Sequence, residues 1–245
     1  MKKITLVLII LFISVTISSA QTKIVTSASD PWPPFVDPDH PKMGITIEVV
    51  TAAFKTQGYI LKHKIIPWSR AEQMVKRGKI DILPNTWKTD KRKSYLLYSK
   101  PYAYNKIKFI KRKGAGFEYN GLKSLKGKKV GIIRGYGYGD EFMNSKHFKR
   151  FPVNNLILNI RKLVAKRIDL TLEDEIVAKN QISKKEPKLL SKIEFTKKYI
   201  SSKGLHVTCG LKNPSHRSII MAFNKGLKKI KSNGTLKKIF KSYGL

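Results

Sequence analysis

Short apolar runs alternate with segments of helical period along the first half of the sequence, and this alternation restricts the fold more than any other feature. The runs have strand length and end near glycine or proline, whereas the longer segments place apolar residues three or four positions apart. Strands that alternate with helices pair in parallel, so the pattern predicts an α/β fold with a largely parallel sheet. The predicted strands are residues 23–27, 59–65 and 80–83, and the predicted helices are residues 44–54 and 68–77.

The second half repeats this order of strands and helices after a turn-rich link. Its amphipathic segments again carry their apolar residues on one face and their lysines on the other. No repeat of solenoid length is present, so two similar α/β halves are expected rather than a repeat array. The predicted strands lie within residues 106–111, 125–133, 168–172, 193–195 and 205–211, and the predicted helices within residues 141–148, 156–166, 176–182, 218–230 and 236–243.

The first twenty residues have the composition of a secretory signal. Lys2 and Lys3 precede an apolar run, and small residues lead up to Ala20. We therefore expect residues 1–20 to be removed and the mature chain to be free in the compartment to which it is exported. Cys209 is the only cysteine in the chain, which excludes an internal disulfide.

The charge of the chain is unusually positive. Fifty lysine and arginine residues stand against sixteen acidic residues, a formal net charge of +34. Such a balance favours an acidic ligand or an anionic surface as a partner. The bases are spread through every segment, however, without an arginine-rich block, so they are interpreted as solvated faces and no nucleic-acid partner is predicted.

Two helix starts precede the residues of most interest. Ser69 and Glu72 have the spacing of a capping box, so Glu72 is expected to close the first turn of its helix. Thr89 is predicted to cap a short helix that carries Arg92 one turn in, just after a buried strand. A guanidinium held there can bind a carboxylate through two parallel hydrogen bonds. The alternative is that Arg92 is an exposed basic residue without a binding role, like the many other lysines and arginines of the chain.

Two other loops also follow predicted strands. Prolines hold Trp32 on a stiff loop, where it is either part of the core or an aromatic wall for a ligand. The second loop contains Gly135, Tyr136 and Gly137, whose backbone N–H groups could meet an anion. It lacks the G-x-G-x-x-G spacing of a dinucleotide site, so no nicotinamide or flavin is expected.

Signals of catalysis are poor. The five histidines are scattered without metal-ligand spacing, and His206 and Cys209 are placed on opposite faces of a strand. Glu173 is interpreted as a surface acid at the end of a strand. The sequence therefore predicts no catalytic residue, no metal and no cofactor.

Seven segments follow one another along nearly the whole mature chain: DPWPPF, GITIEVVTAAFKTQGY, VKRGKIDIL, TDKRKSYLLYSKPY, LKSLKGKKVGIIRG, AKRIDLTLEDEIVA and FNKGLKKIKSNGTLKKIFKSYG. In this order they resemble the family 3 extracellular solute-binding proteins of bacterial ABC importers, which are periplasmic receptors for polar amino acids. The resemblance implies an α/β fold with two lobes joined by two crossings and a ligand cleft between them. It places residues 21–104 and 202–245 in the first lobe and residues 105–201 in the second.

The resemblance also implies a site for a polar amino acid. Arg92 matches the arginine that binds the ligand carboxylate, and Asp174 matches the aspartate that binds its ammonium group. Trp32 takes the place of the stacking aromatic. The resemblance further assigns backbone N–H groups of Gly135, Tyr136 and Gly137 to the carboxylate, and it adds whichever of Asn85, Thr86 and Trp87 faces the ligand.

The function that follows is capture of a small ligand by a monomer and its delivery to the membrane permease of an ABC transporter. One alternative is an enzyme on the same fold, similar to the periplasmic cyclohexadienyl dehydratases, with Glu173 as its general acid. A second alternative is binding of an anionic polymer through the lysine-rich surface.

Overall fold

The computed structural model describes residues 23–245, so the predicted signal peptide lies outside the described part of the chain. Nine strands and eight α-helices follow one another in these residues. The strands are β1 (Lys23–Ser29), β2 (Tyr59–Ile65), β3 (Ile82–Trp87), β4 (Leu96–Tyr98), β5 (Ala103–Arg112), β6 (Lys129–Ile133), β7 (Lys149–Val153), β8 (Leu170–Asp174) and β9 (Ile193–Gly210). The helices are α1 (Ile45–Lys55), α2 (Trp68–Lys76), α3 (Asp90–Lys93), α4 (Asp140–Asn144), α5 (Leu156–Val164), α6 (Glu175–Lys185), α7 (His216–Ser232) and α8 (Thr235–Ser242).

All nine strands belong to one sheet with the order β2-β1-β3-β9-β5-β8-β6-β7, and β4 also pairs with β9. The pairs at the two ends of the sheet are parallel, as predicted, but the pairs made by β5 and β9 are antiparallel. The prediction of a largely parallel sheet is therefore wrong for the centre. The reason is that β9 carries the chain back from one group of strands to the other, opposite in direction to its neighbours.

The central strands β5 and β9 connect two lobes. The first lobe contains β1 to β4 with α1, α2, α7 and α8, and the second contains β6 to β8 with α4, α5 and α6. β9 was predicted as two short strands but is one continuous strand, since it pairs with β5 from Ala103↔Leu205 to Arg112↔Ile193. The boundaries predicted from sequence, 104/105 and 201/202, fall within these two strands and stay a prediction.

Each lobe has an apolar interior formed by helices against its part of the sheet. In the first lobe α1 packs on α7, where the rings of Phe54 and Phe223 lie 5.6 Å apart. In the second lobe α5 and α6 cover the sheet with Leu156, Ile160 and Ile182. No helix among residues 23–245 is both long enough and apolar enough to cross a membrane.

The contact between α1 and α7 depends on a glycine. A Cβ atom on Gly226 would lie 2.1 Å from the backbone oxygen of Ala53, far inside van der Waals contact. Alanine is favoured over glycine inside a helix by about 1 kcal/mol, so propensity and packing oppose each other here. The neighbouring atom is rigid backbone, and packing should therefore decide.

We expect Gly226→Ala to lower the free energy of unfolding by about 1–3 kcal/mol, because α7 must move away from α1. Urea denaturation measures the change. Lys225→Ala, at an exposed position of the same helix, is the matched control and should leave stability nearly unchanged. A Gly226→Ala protein as stable as the parent chain would contradict the close packing described here.

Candidate functional site

A cavity lies between the two lobes, where loops at strand ends meet. Its volume is about 20 Å³, counted as the space open to the centre of a water-sized sphere, which is room for one or two water molecules. All three tryptophans of the chain line it. The complete lining is Asp30, Trp32, Trp68, Asn85, Trp87, Arg92, Tyr136 and Gly137.

The end of β3 contributes two of the three residues left open by the sequence. Asn85 and Trp87 line the cavity, whereas Thr86 points the other way and its hydroxyl contacts that of Thr208 at 2.8 Å. This follows from the alternation of side chains along a strand. The Trp87 indole N–H donates to the side-chain oxygen of Asn105 at 3.1 Å, which fixes the ring at the cavity wall.

Arg92 is buried, with 4% of its surface exposed, so the alternative of an exposed base is excluded. Thr89 caps α3 as predicted, and its hydroxyl accepts a hydrogen bond from the Arg92 backbone N–H at 3.2 Å. The guanidinium then points into the space between the lobes. Its Nη1 donates to the backbone oxygen of Trp87 at 3.1 Å.

Glu72 is the acidic partner of Arg92. Its two oxygens accept hydrogen bonds from Nε at 2.8 Å and Nη2 at 3.3 Å. The prediction that Glu72 closes a capping box is wrong, because α2 begins at Trp68 after Pro67 and has no side-chain cap. Trp68 and Tyr95 donate to the same carboxylate at 3.1 and 2.8 Å, so the ion pair is held from several sides.

The glycine-rich turn of the second lobe reaches across to the first. The backbone oxygen of Gly135 accepts from Arg92 Nη2 at 2.8 Å, and the Tyr136 hydroxyl donates to Asp30 at 3.0 Å. A Cβ atom at Gly137 would lie 2.6 Å from Arg92 Nη1, so only glycine permits this approach. The use of backbone N–H groups of this turn for a ligand stays a prediction.

Asp174 lies at the junction of β8 and α6, outside the cavity lining. One carboxyl oxygen accepts from the backbone N–H groups of Ile176 and Val177 at 3.0 and 3.2 Å and so caps α6. The other accepts from the Asn105 amide and the Lys106 backbone N–H at 3.2 and 3.1 Å. Both oxygens are thus engaged with the protein, and the lining of the inter-lobe cavity does not bring Asp174 together with Arg92.

Glu173 was interpreted as a surface acid, and this is wrong: its side chain is fully buried. Every residue of β8 is buried, because the strand is paired with β5 and β6 and is packed against by α5 and α6. Burial raises the pKa of Glu173 to about 8, and the backbone N–H of Asp174, 2.9 Å from Oε1, only partly opposes this. Oε2 has no hydrogen-bond partner of good geometry among residues 23–245, although the Trp32 indole N–H lies close enough to lower that pKa.

Asp30 is the acidic residue in the cavity lining, and the sequence reasoning did not single it out. Burial raises its pKa to about 7, while the hydrogen bond from Tyr136 acts in the opposite direction. Its position two residues before the proline-held Trp32 could have indicated a cavity residue. Within residues 23–245 no group of three or more histidine, cysteine or acidic side chains could hold a metal ion.

The raised pKa of Glu173 has a consequence for stability. The folded protein keeps a proton that the unfolded chain releases above its ordinary pKa of 4.5, so stability should fall as the pH rises from about 4.5 to about 8. Glu173→Gln removes this effect and should be more stable than the parent chain at pH 8 by on the order of 3 kcal/mol, but not at pH 4.5. Urea denaturation at both pH values measures it.

The exposed acid Glu141 of the same lobe provides the control. Glu141→Gln should keep the pH profile of the parent chain. If Glu173→Gln followed that profile too, the carboxyl group would not be buried in its neutral form.

Comparison with known proteins agrees with this architecture. Residues 23–245 match the sequence model of the bacterial extracellular solute-binding proteins, family 3. The chain is 32% identical to the lysine/arginine/ornithine-binding periplasmic protein of Escherichia coli over 69% of its own length and 66% of that protein. It is 23% identical to the arginine-binding extracellular protein ArtP of Bacillus subtilis, over 92% of this chain and 87% of that one.

Solved structures confirm the predicted fold class. An ancestral arginine-binding protein bound to arginine superposes with a TM-score of 0.75 at 22% identity, over 91% of this chain and 98% of that chain. An arginine-binding protein from T. maritima gives the same TM-score at 18% identity, over 91% and 95% of the two chains. With its two lobes, its crossing strands and a family match over all of its described residues, the chain belongs to the bacterial extracellular solute-binding proteins of family 3.

Proposed function

We propose that the protein captures an amino acid between its lobes and delivers it to the membrane permease of an ABC transporter. The observation that carries this proposal is the buried guanidinium of Arg92 at the inter-lobe cavity, in contact with a carbonyl of the opposite lobe. The relatives support it, because they are named for binding lysine, arginine or ornithine. The predicted signal peptide and the extracellular family are consistent with a periplasmic monomer.

The geometry of Arg92 explains how a carboxylate could enter. Glu72 takes the edge of the guanidinium formed by Nε and Nη2, and the remaining Nη2 hydrogen reaches Gly135 of the second lobe. When the lobes separate, that contact breaks and the donor becomes available. A ligand carboxylate would then take the place of the Gly135 oxygen, with each charge-assisted hydrogen bond contributing roughly 1.5–3 kcal/mol.

Direct contacts between the lobes set the balance between open and closed forms. The Asp90 backbone N–H donates to Asp140 at 2.8 Å, and Lys184 pairs with Asp37 at 2.6 Å. A ligand that contacts both lobes favours the closed form by its difference in affinity for the two forms. The permease would recognise that closed form.

Asp174 remains the ammonium partner that the resemblance implies. To act so, it would have to share oxygens that already cap α6 and hold β5. We therefore retain Arg92 as the principal ligand contact.

One observation favours the alternative that the protein is an enzyme. Glu173 is buried and its pKa is raised to about 8, as a general acid requires. Against it, the family is one of solute-binding proteins, and the acidic Asp30 in the cavity lining disfavours a dicarboxylate such as prephenate. We expect prephenate to remain unchanged when it is incubated with the protein, as monitored by the absorbance of prephenate. Turnover that disappears in Glu173→Gln would establish the enzyme instead.

A thermal-shift screen of the twenty amino acids tests the binding proposal. At least one should raise the melting temperature by about 5 °C or more at saturation, because it binds only the folded state.

Replacing both Arg92 and Glu72 by glutamine removes the ion pair without leaving a buried charge alone. The double variant should bind the ligand about a hundredfold more weakly or worse, as measured by calorimetry.

Arg70 is an exposed arginine on the same helix as Glu72. Arg70→Gln should bind with the affinity of the parent chain. The proposal fails if no amino acid shifts the melting temperature, and the role of Arg92 fails if the double variant binds normally.

A further inference from the structure

We propose that the exposed side of α7 and α8 docks on a membrane of anionic phospholipids, whose phosphate groups are bound by the lysines of the two helices. None of the residues that line the inter-lobe cavity belongs to either helix. The docking surface is therefore separate from ligand capture and adds an interaction to it. Docking would keep the protein at the membrane surface, where the permease of an ABC transporter lies.

Acidic residues are distributed more unevenly along the chain than basic ones. Residues 195–245 contain twelve lysine and arginine residues but no aspartate or glutamate. Seven of these lysines are in α7 and α8, and all seven are exposed. None of the seven forms an ion pair within residues 23–245, whereas Lys179 and Lys184 of α6 both pair with acidic side chains. The positive charge of α7 and α8 is thus left uncompensated.

Four lysines surround an open hollow beside α7. Lys225, Lys228 and Lys231 line it from the helix, and Lys100 lines it from the loop between β4 and β5. The Lys100 backbone N–H donates to the side-chain oxygen of Asn224 at 2.8 Å, which holds that loop against the helix. None of the described residues that line the hollow is acidic. A phosphate group that enters it is therefore attracted by four cations at once.

The positive surface continues beyond this hollow. Lys231 also lines a second hollow, which it shares with Lys237 of α8. Asp174 is the acidic residue in that lining, but it is 4% exposed and both of its oxygens accept hydrogen bonds from the protein. A free phosphate ion would neutralise one hollow only. A bilayer presents many phosphates side by side, so it matches a surface on which lysines follow one another along two helices.

An exposed apolar side chain lies on the same side of α7. Met221 is 57% exposed and precedes Lys225 by four residues, so the two side chains are neighbours on the helix surface. The opposite side of α7 packs into the core through Phe223 and Leu227. A fixed helix that presents lysines together with an apolar side chain to solvent is suited to the headgroup region of a bilayer.

The net charge of +34 would by itself attract any side of the protein to an anionic membrane. A docking surface on α7 and α8 differs from this general attraction because it lies on one side of the first lobe. Lys123, Lys126 and Lys146 provide the comparison. They are exposed in the segments that precede β6 and β7, and they form no ion pair within residues 23–245.

Sedimentation with lipid vesicles tests the proposal on the chain without residues 1–20. The protein should bind vesicles made of equal parts of phosphatidylcholine and phosphatidylglycerol, but not vesicles of phosphatidylcholine alone. Binding should disappear as the salt concentration rises from about 0.01 M to about 1 M, because the Debye length falls from about 30 Å to about 3 Å. Replacing Lys225, Lys228 and Lys231 by glutamine should weaken vesicle binding about a hundredfold.

Replacing Lys123, Lys126 and Lys146 by glutamine removes the same charge and should weaken vesicle binding far less. Both triple variants should keep the amino-acid affinity of the parent chain, because none of the six lysines lines the inter-lobe cavity. Equal losses of vesicle binding in the two variants would assign the binding to net charge and overturn the proposal. A parent chain that does not bind the anionic vesicles, or that binds free tripolyphosphate in their place, overturns it as well. The amino-acid screen is independent of these results, so the proposed function stands or fails separately.

Discussion

The ion pair between Arg92 and Glu72 is the interaction on which the arrangement between the lobes depends. A buried guanidinium alone would be very costly, and Glu72, Trp87 and Gly135 together satisfy it. Because Glu72 comes from α2 and Gly135 from the second lobe, one side chain ties a helix, a strand end and the opposite lobe together. The position of the charge is thus fixed by parts of the chain that are far apart in sequence.

Two acidic groups, Asp30 at the cavity and Glu173 in β8, differ from Arg92 in having no partner of opposite charge. Glu173 is fully buried and Asp30 is partly buried, and neither forms an ion pair within residues 23–245. Their raised pKa values reflect the cost of placing a charge at these positions. Neutral side chains at these two positions would avoid that cost.

Local patterns were sufficient for several features of the fold and site. The cap at Thr89, the proline-held loop of Trp32 and the alternation of helices and strands all follow from neighbouring residues. The partners of Arg92 could not be predicted from neighbouring residues. Glu72 has the spacing of a capping box, and only its tertiary contact with Arg92 shows that it forms an ion pair instead. Glu173 was misjudged for the same reason: the end of a strand is exposed or buried according to which lobe faces it. The continuity of β9 likewise depends on its pairing with β5, which no local pattern reveals.

The placement of the three tryptophans gives the molecule a built-in optical property. Since Trp32, Trp68 and Trp87 all line one cavity, the indole emission of the entire chain originates where the lobes meet. Separation of the lobes would expose these rings to water together, and closure on a solute would shield them together. The intrinsic tryptophan fluorescence of the protein should therefore report the separation of the lobes directly, because no tryptophan lies outside the cavity.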